Sequence, residues 1–469
     1  MDLDCWIDKD VASQVLTEAL RYGGDLGEIY VEDRSVLTLG LEDSKVDEAV
    51  RGTDRGAGIR VFYGGLSAYA HTDDLTASNL RAVAKDAASA ARGRSQAQVL
   101  DFTGGRTDLD FPVKRSFDDM SDEEKARLLH RVDREARGFD PRVTQVQAQY
   151  SEQRRRVWIW NSEGRAVQDE RHLVQLRIMV MAKKEDLVQT GLGAVGGQMG
   201  LELLDRVDVL AEAREAAGSA VRMLDARPAP AGELPVVMNH GWGGVLFHEA
   251  CGHALEADHV NQGVSVFGGR LGELVASPLI TLVDDATLPE RRGSFRFDDD
   301  GTASERTVLI EKGVLREYLW DLAQARRSER YSTGNGRRQS FRFLSLPRMT
   351  NTFIEAGDTD PEDIVRSVKR GLYVKMLGGG QADTARGDFV FSVSEGYLIE
   401  DGRLTAPVRG ATLVGNGPEV LKEIAMVGHD LELDKGLGMC GKGQRVPVSV
   451  GQPTLLIPRI TIGGTEEGR

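Results

Sequence analysis

The sequence predicts an α+β fold of two domains, built from mostly antiparallel sheets with flanking helices. In the second domain it predicts a curved or barrel-like sheet. Three observations carry this. Strand-like runs joined by tight turns fill both halves, helical periodicity is confined to a few segments, and ARPAPAGELP (226–235) breaks the chain between them. At 469 residues the chain also exceeds the ~250–300 residues that one core usually supports. We therefore expect an N-terminal domain over 1–225, a linker over 226–235 and a C-terminal domain over 236–469.

The first expected element is a helix over 11–21, stopped by Gly23-Gly24. EIYVED, SVLTLGL and GIRVFYGGLSAYA then read as strands, the last a hairpin turning at Gly64-Gly65. Helices follow near 74–93 and 121–137, the second opened by the capping-box pattern Ser121-Asp122-Glu123-Glu124. VWIWNSEGRAVQ reads as a hairpin, 168–182 as a further strand, and 203–224 as the helix closing this half. Beyond the linker, PVVMNHG starts a strand. IEKGVLREY (310–318) and IEDGRLTAPV (399–408) read as tight hairpins. Helices are few: one around 248–253, one over 361–370 and one over 417–424.

Composition excludes several functions. With 59 basic and 73 acidic residues the net charge is −14, and no basic cluster interleaves with aromatics, so nucleic-acid binding is not expected. No apolar run approaches the ~20 residues that span a bilayer. The acidic start, MDLDCWIDKD, does not resemble a signal peptide, and three scattered cysteines make no disulfide framework. These features point to a cytoplasmic protein without membrane contact.

The chemistry concentrates in GWGGVLFHEACGHALEAD, where His248, Glu249 and His253 form HExxxH. A zinc hydrolase needs neutral nitrogen ligands and a carboxylate base for the attacking water. The spacing is unusual. On an ideal helix, positions i and i+5 lie about 140° apart at ~100° per residue, so an unbroken helix cannot aim both imidazoles at one ion. A bulge or a helix end at Gly252 would be needed. On the motif alone, a buried helix whose histidines are satisfied by hydrogen bonds fits as well as a metal site.

Two histidines are too few for a catalytic zinc, which usually has three protein ligands. Cys5 sits in the polar N-terminus and reads as incidental. Cys251 follows His248 by three residues and can share its face. Cys440 lies in GLGMCGKGQ, where glycines let the backbone bring a thiolate close to another element.

Taken together, the segments of this chain resemble the TldD/PmbA family, the modulators of DNA gyrase, on its metallopeptidase side. GWGGVLFHEACGHALEAD carries the resemblance with STGNGRRQS (332–340), PRMTNT (347–352), GGGQAD (378–383), VFSVSEGYLIEDG (390–402) and GMCGKGQRVPVSVGQPTL (438–455). The family's non-catalytic sister subunit lacks HExxxH. The resemblance implies a Zn2+ site of His248, His253 and Cys440, Glu249 as general base, and a metal site in the C-terminal domain. It implies roles in maturing ribosomally made peptide antibiotics and degrading antitoxins. It also implies a heterodimer with a PmbA/TldE-like sister subunit, enclosing the active site; a homodimer is the other arrangement we consider. Cys251 departs from the small apolar residue usual in the family, and we read it as an inert small hydrophobe.

Other residues are candidates around that site. Glu256 and Asp258 can orient a ligand imidazole through its second nitrogen. Arg337, Arg338, Arg348 and Asn351, all within resembling segments, can bind a peptide carboxylate or an oxyanion, and Tyr331 is a further oxyanion donor. His240 and His259 read as structural or exposed. DDDG (298–301) lacks the spacing of a calcium loop and reads as a solvated loop. The expected function is peptide-bond hydrolysis in peptides or unfolded segments. The competing reading is a non-catalytic peptide-binding subunit with a structural metal or none, and a third is a hydrolase of small amides.

Overall fold

Ile29, Val31, Leu37, Leu39 and Leu41 alternate along a single strand, Leu26–Glu42, and therefore share one face. Ile29 and Val31 pack under the helices Lys9–Ala19 and Ala77–Ala90. Leu37, Leu39 and Leu41 pack under Asp122–Arg137 and Val209–Leu224. This strand was expected as two, EIYVED and SVLTLGL. It runs unbroken because the charged residues at its middle are paired across the sheet, Asp33 with Arg55 and Arg156, and Arg34 with Asp54.

The computed structural model describes residues 6–91, 97–105 and 107–465. Cys5 lies outside the described residues. The first sheet has seven strands, and its long members, Leu26–Glu42, Lys45–Tyr63, Val143–Asn161, Arg165–Lys184 and Leu187–Gln198, pair antiparallel with their neighbours. The expected hairpins are present. Gly64 and Gly65 both adopt positive φ, +52° and +79°, as a tight turn of this hand requires. The capping box at Ser121 and Glu124 forms as read. Leu187–Gln198 was not anticipated; its glycines hide the alternation, and Gly191 is needed because a Cβ there would run into the backbone of Ala216.

The second half contains a closed five-stranded barrel. Arg370–Ala382, Gly232–Met238, Leu455–Gly463, Thr412–Asn416 and Asp388–Glu400 pair in that order, and the last pairs back to the first. Within 226–235, Arg227–Pro228 pairs with Val408–Arg409, and the first barrel strand already starts at Gly232. A six-stranded sheet beside the barrel includes Leu282–Asp285, Asn351–Ile354 and Ser449–Gln452. The expected helices near 361–370 and 417–424 are Pro361–Arg366 and Gly417–Glu423. Among the described residues no helix is long and apolar enough to cross a membrane.

The even-numbered face of Leu26–Glu42 meets the C-terminal half. Tyr30, Val157, Ile159 and Val167 pack with Phe297 and Phe341. Around this cluster lies a buried charge network. Arg338 donates to Glu28 at 2.8 Å, to the Asp299 carbonyl at 2.8 Å and to Asp300 at 3.3 Å. Arg171 donates to Asp299 at 2.8 Å, and Arg155 to Glu32 at 3.0 Å. This corrects two expectations. DDDG is not solvated: Asp298, Asp299 and Asp300 are all buried, and Asp298 accepts the backbone N–H groups of Asp300, Thr302 and Gly336. Arg338 is committed to joining the two halves, with no exposed surface left for a substrate.

Removing Arg338 leaves Glu28 and Asp300 buried without this partner. Arg338→Met should cost about 3–5 kcal/mol, read as a lowered midpoint in urea or thermal unfolding. Burial opposes the charge on Asp299, but Arg171, Arg155 and Arg338 outweigh it and lower its carboxyl from 3.8 to about 2. A depressed carboxylate stabilises the fold above its unfolded value and loses that contribution as pH falls through its folded value. The stability difference between wild type and Asp299→Asn should therefore shrink as pH drops from about 4 toward 2.

Candidate metal centre

The helix carrying His248 is short, Val245–Ala250, because Cys251 leaves helical geometry with φ −130° and ψ −45°. A tighter 3₁₀ turn, Gly252–Leu255, then carries His253. Of the two ways to accommodate the extra residue in HExxxH, the chain uses the helix end. Gly252 is required for contact rather than for left-handed backbone. It has no positive φ, and a Cβ there would overlap the sulfur of Met349. Upstream, Gly244 lets the chain approach the Ser449–Gln452 strand, since a Cβ would lie 2.6 Å from the Gly451 carbonyl oxygen.

The redirected chain sets the imidazoles of His248 and His253 edge to face, with centroids 5.2 Å apart. Cys440 reaches them from the short hairpin of Met439–Gly441 and Arg445–Pro447, its Sγ 3.3 Å from His253 Nε2. Candidate ligand atoms of His248, His253 and Cys440 all lie within 4.8 Å of one another. His248 is only 2% exposed, yet neither ring nitrogen has a hydrogen-bond partner among the described residues. Leaving such a group unsatisfied costs about 1–3 kcal/mol. A cation among the three donors would remove that cost, so these residues fit a metal.

Glu249 borders the cluster, its Oε2 3.7 Å from His253 Nε2, and at 34% exposure its side chain reaches solvent. Glu256 accepts from His253 Nδ1 at 2.9 Å, which leaves Nε2 directed toward Cys440. Burial disfavours charge on Cys440, but His248 and His253 outweigh it and hold the thiol well below its usual range. That favours the thiolate, the form that binds metals. Burial likewise opposes the Glu256 carboxylate, but His253, Lys442 and Arg348 hold its pKa far down.

Cys251, by contrast, is fully buried in the apolar cluster that joins this helix to the barrel, its Sγ against Gly417. Burial alone pushes its thiol pKa far up, the behaviour of a small hydrophobe. His259 Nδ1 meets the His253 carbonyl at 2.8 Å, and His240 pairs with Asp430 at 2.9 Å.

The structure does not gather the expected oxyanion donors around the cluster. Arg337 donates to the carbonyls of Met349 and Pro447, both at 2.6 Å, and Arg348 to that of Gln444 at 2.9 Å. They grip the turn and return strand of the Cys440 hairpin and the Met349 carbonyl, and are buried. Asn351 donates to the Asp285 carbonyl and to Ser294. Tyr331 is 94% exposed. These engagements replace the expectation that the arginines and Asn351 face a substrate. Lys442 was missed. It bonds Glu256 at 2.7 Å and both oxygens of Asp258 at 2.9 Å. Its signal was a lone cation two residues beyond Cys440 in a glycine loop.

Sequence profiles of three consecutive domains match the chain: PmbA/TldA metallopeptidase domain 1 over 27–91, the central domain over 115–224 and the C-terminal domain over 231–464. The chain belongs to the PmbA/TldD metallopeptidase family. It is 42% identical over 453 residues to a metalloprotease TldD homolog of Haemophilus influenzae, covering 94% of this chain and 93% of that one. A zinc metalloprotease TldD homolog of Saccharolobus solfataricus is 27% identical, covering 88% of this chain and 91% of the relative. The fold matches the crystal structure of TldE from Thermococcus kodakarensis with a TM-score of 0.78 at 20% identity, covering 97% of this chain and 100% of that one.

Gly252→Ala forces Met349 and the His253 turn apart. Overpacking of this kind costs about 1–3 kcal/mol. The expected result is a lowered unfolding midpoint, and a Gly252→Ala, Met349→Ala double variant that loses less than the sum of the two single variants.

Proposed function

We propose that this protein is a zinc metallopeptidase that hydrolyses peptide bonds in peptides or unfolded segments. The observation that carries the reading is the convergence of an unsatisfied buried His248 with His253 and Cys440, with Glu249 alongside. The names of the relatives support metallopeptidase chemistry, and one of them names zinc.

His248, His253 and Cys440 would hold the ion. Bound zinc supplies a Lewis acid for the scissile carbonyl and lowers the pKa of a water toward ~7. Glu249 takes a proton from the attacking water as its oxygen bonds to the carbonyl carbon. When the carbon–nitrogen bond breaks, the same carboxyl returns that proton to the leaving amine. Glu256 holds His253 in the tautomer that presents Nε2. The Cys440 thiolate makes the site less positive than three histidines would.

Glu249 is the exposed member of a cluster whose histidines are buried, so substrate must approach from its side. A narrow, extended chain suits such access, and a strand-rich domain can hold it by strand addition. The likeness to TldE supports pairing with a sister subunit of that kind, with a homodimer as the other arrangement. The described cysteines are both free, in keeping with a reducing, cytoplasmic setting.

Replacing Glu249 by Gln keeps its size and removes the base. Peptide cleavage should fall by about 10²–10⁴-fold with zinc content unchanged, and wild-type cleavage would favour the non-catalytic reading. Cys440→Ala should lower zinc content itself, measured by elemental analysis of the purified protein.

A further inference from the structure

Glu256, Asp258 and His259 form a second set of donors, with candidate ligand atoms within 4.8 Å of one another. That set already contains a cation. The Lys442 ammonium donates to Glu256 Oε2 at 2.7 Å, to the two Asp258 oxygens at 2.9 Å and to the Pro347 carbonyl at 2.9 Å. Its three protons are thereby used on three partners. The same Glu256 oxygen receives His253 Nδ1 at 2.9 Å, while the other accepts the Met349 N–H at 3.3 Å. Lys442 itself lies in the turn of the Cys440 hairpin, between Met439–Gly441 and Arg445–Pro447. One ammonium therefore ties together the hairpin, the His253 turn and the 347–349 segment.

We propose that Lys442 is a positioning residue for the metal, resting on the reading of His248, His253 and Cys440 as its ligands. Its ammonium takes the place a second ion would otherwise occupy, so the chain binds one metal. It also clamps the Cys440 hairpin to Glu256, so that the thiolate and the His253 imidazole stay in register. Without the clamp, the remaining ties of the Cys440 hairpin, through Arg337, Arg348 and Gln444, run to the 337–349 segment rather than to Glu256, and the ion leaves faster.

The test uses the full chain loaded with Co2+, whose thiolate charge-transfer band reports Cys440 bound to metal. Wild type should take up one cobalt and show the band. Lys442→Met should show the band at saturation but release cobalt to a chelator about ten- to a hundredfold faster, the usual effect of losing a group that orients a ligand. Lys442→Arg, which keeps a hydrogen-bonding cation, should recover part of the retention. Asp258→Asn, a milder change, should speed release by a smaller factor, and it decides the matter if Lys442→Met does not fold. Release at the wild-type rate from a folded Lys442→Met, or from Asp258→Asn, overturns the clamp while leaving the metal site standing. Two cobalt ions per wild-type chain overturn the claim that the ammonium fills the second position. A wild type that takes up cobalt without the thiolate band overturns the metal site and the clamp together.

Discussion

Cys440 Sγ lies 3.3 Å from His253 Nε2 although 187 residues separate them in sequence. The site depends on this contact, and much of the surrounding structure serves to hold it. The barrel gives the short Val245–Ala250 helix a surface to bury against. The helix stops at Cys251, and Met349 packs so closely on Gly252 that the 3₁₀ turn has little room to shift. From the other side, Arg337 and Arg348 fasten the backbone around Cys440. A chain of hydrogen bonds continues outward, from Gln444 to the Gln339 N–H and the Leu344 carbonyl.

The same segment reaches the N-terminal half one residue earlier, at Arg338. Its bond to Glu28 crosses the junction between the halves, and its bond to the Asp299 carbonyl ties it to a second residue engaged across that junction. Asp299 is shared with Arg171 from the long N-terminal strand Arg165–Lys184. The position of the Cys440 hairpin is thus referred to a sheet in the other half of the molecule. Fully buried charges of this kind are weak sources of net stability but costly to break singly. They fix one arrangement of the halves over its alternatives.

Much of this was legible in the sequence where the signal is local. Strand alternation, the Gly64-Gly65 turn and the Ser121 capping box each follow from a few adjacent residues. The convergence of His248, His253 and Cys440 was legible through HExxxH and through the resemblance that singled out Cys440; local pattern alone left that thiol open. What failed was the reading of charged residues far apart in sequence. Arg337, Arg338 and Arg348 looked like substrate donors because a cation in a distinctive motif invites that inference. Their partners, Pro447, Glu28 and Gln444, lie about a hundred residues or more away in the chain. DDDG was misread for the same reason, since three adjacent carboxylates look solvated until the buried guanidinium groups facing them are known. Leu187–Gln198 escaped because its glycines answer to a helix packed on it, a tertiary demand with no local signature.

The central claim is that two imidazoles and one thiolate hold a single zinc. X-ray absorption spectroscopy at the zinc edge tests it most directly, on the purified full chain. The account predicts one sulfur at ~2.3 Å with nitrogen or oxygen neighbours at ~2.0–2.1 Å. A shell with no sulfur would contradict the Cys440 assignment, and a shell with two sulfurs would bring Cys251 into a site from which its place in the apolar cluster excludes it.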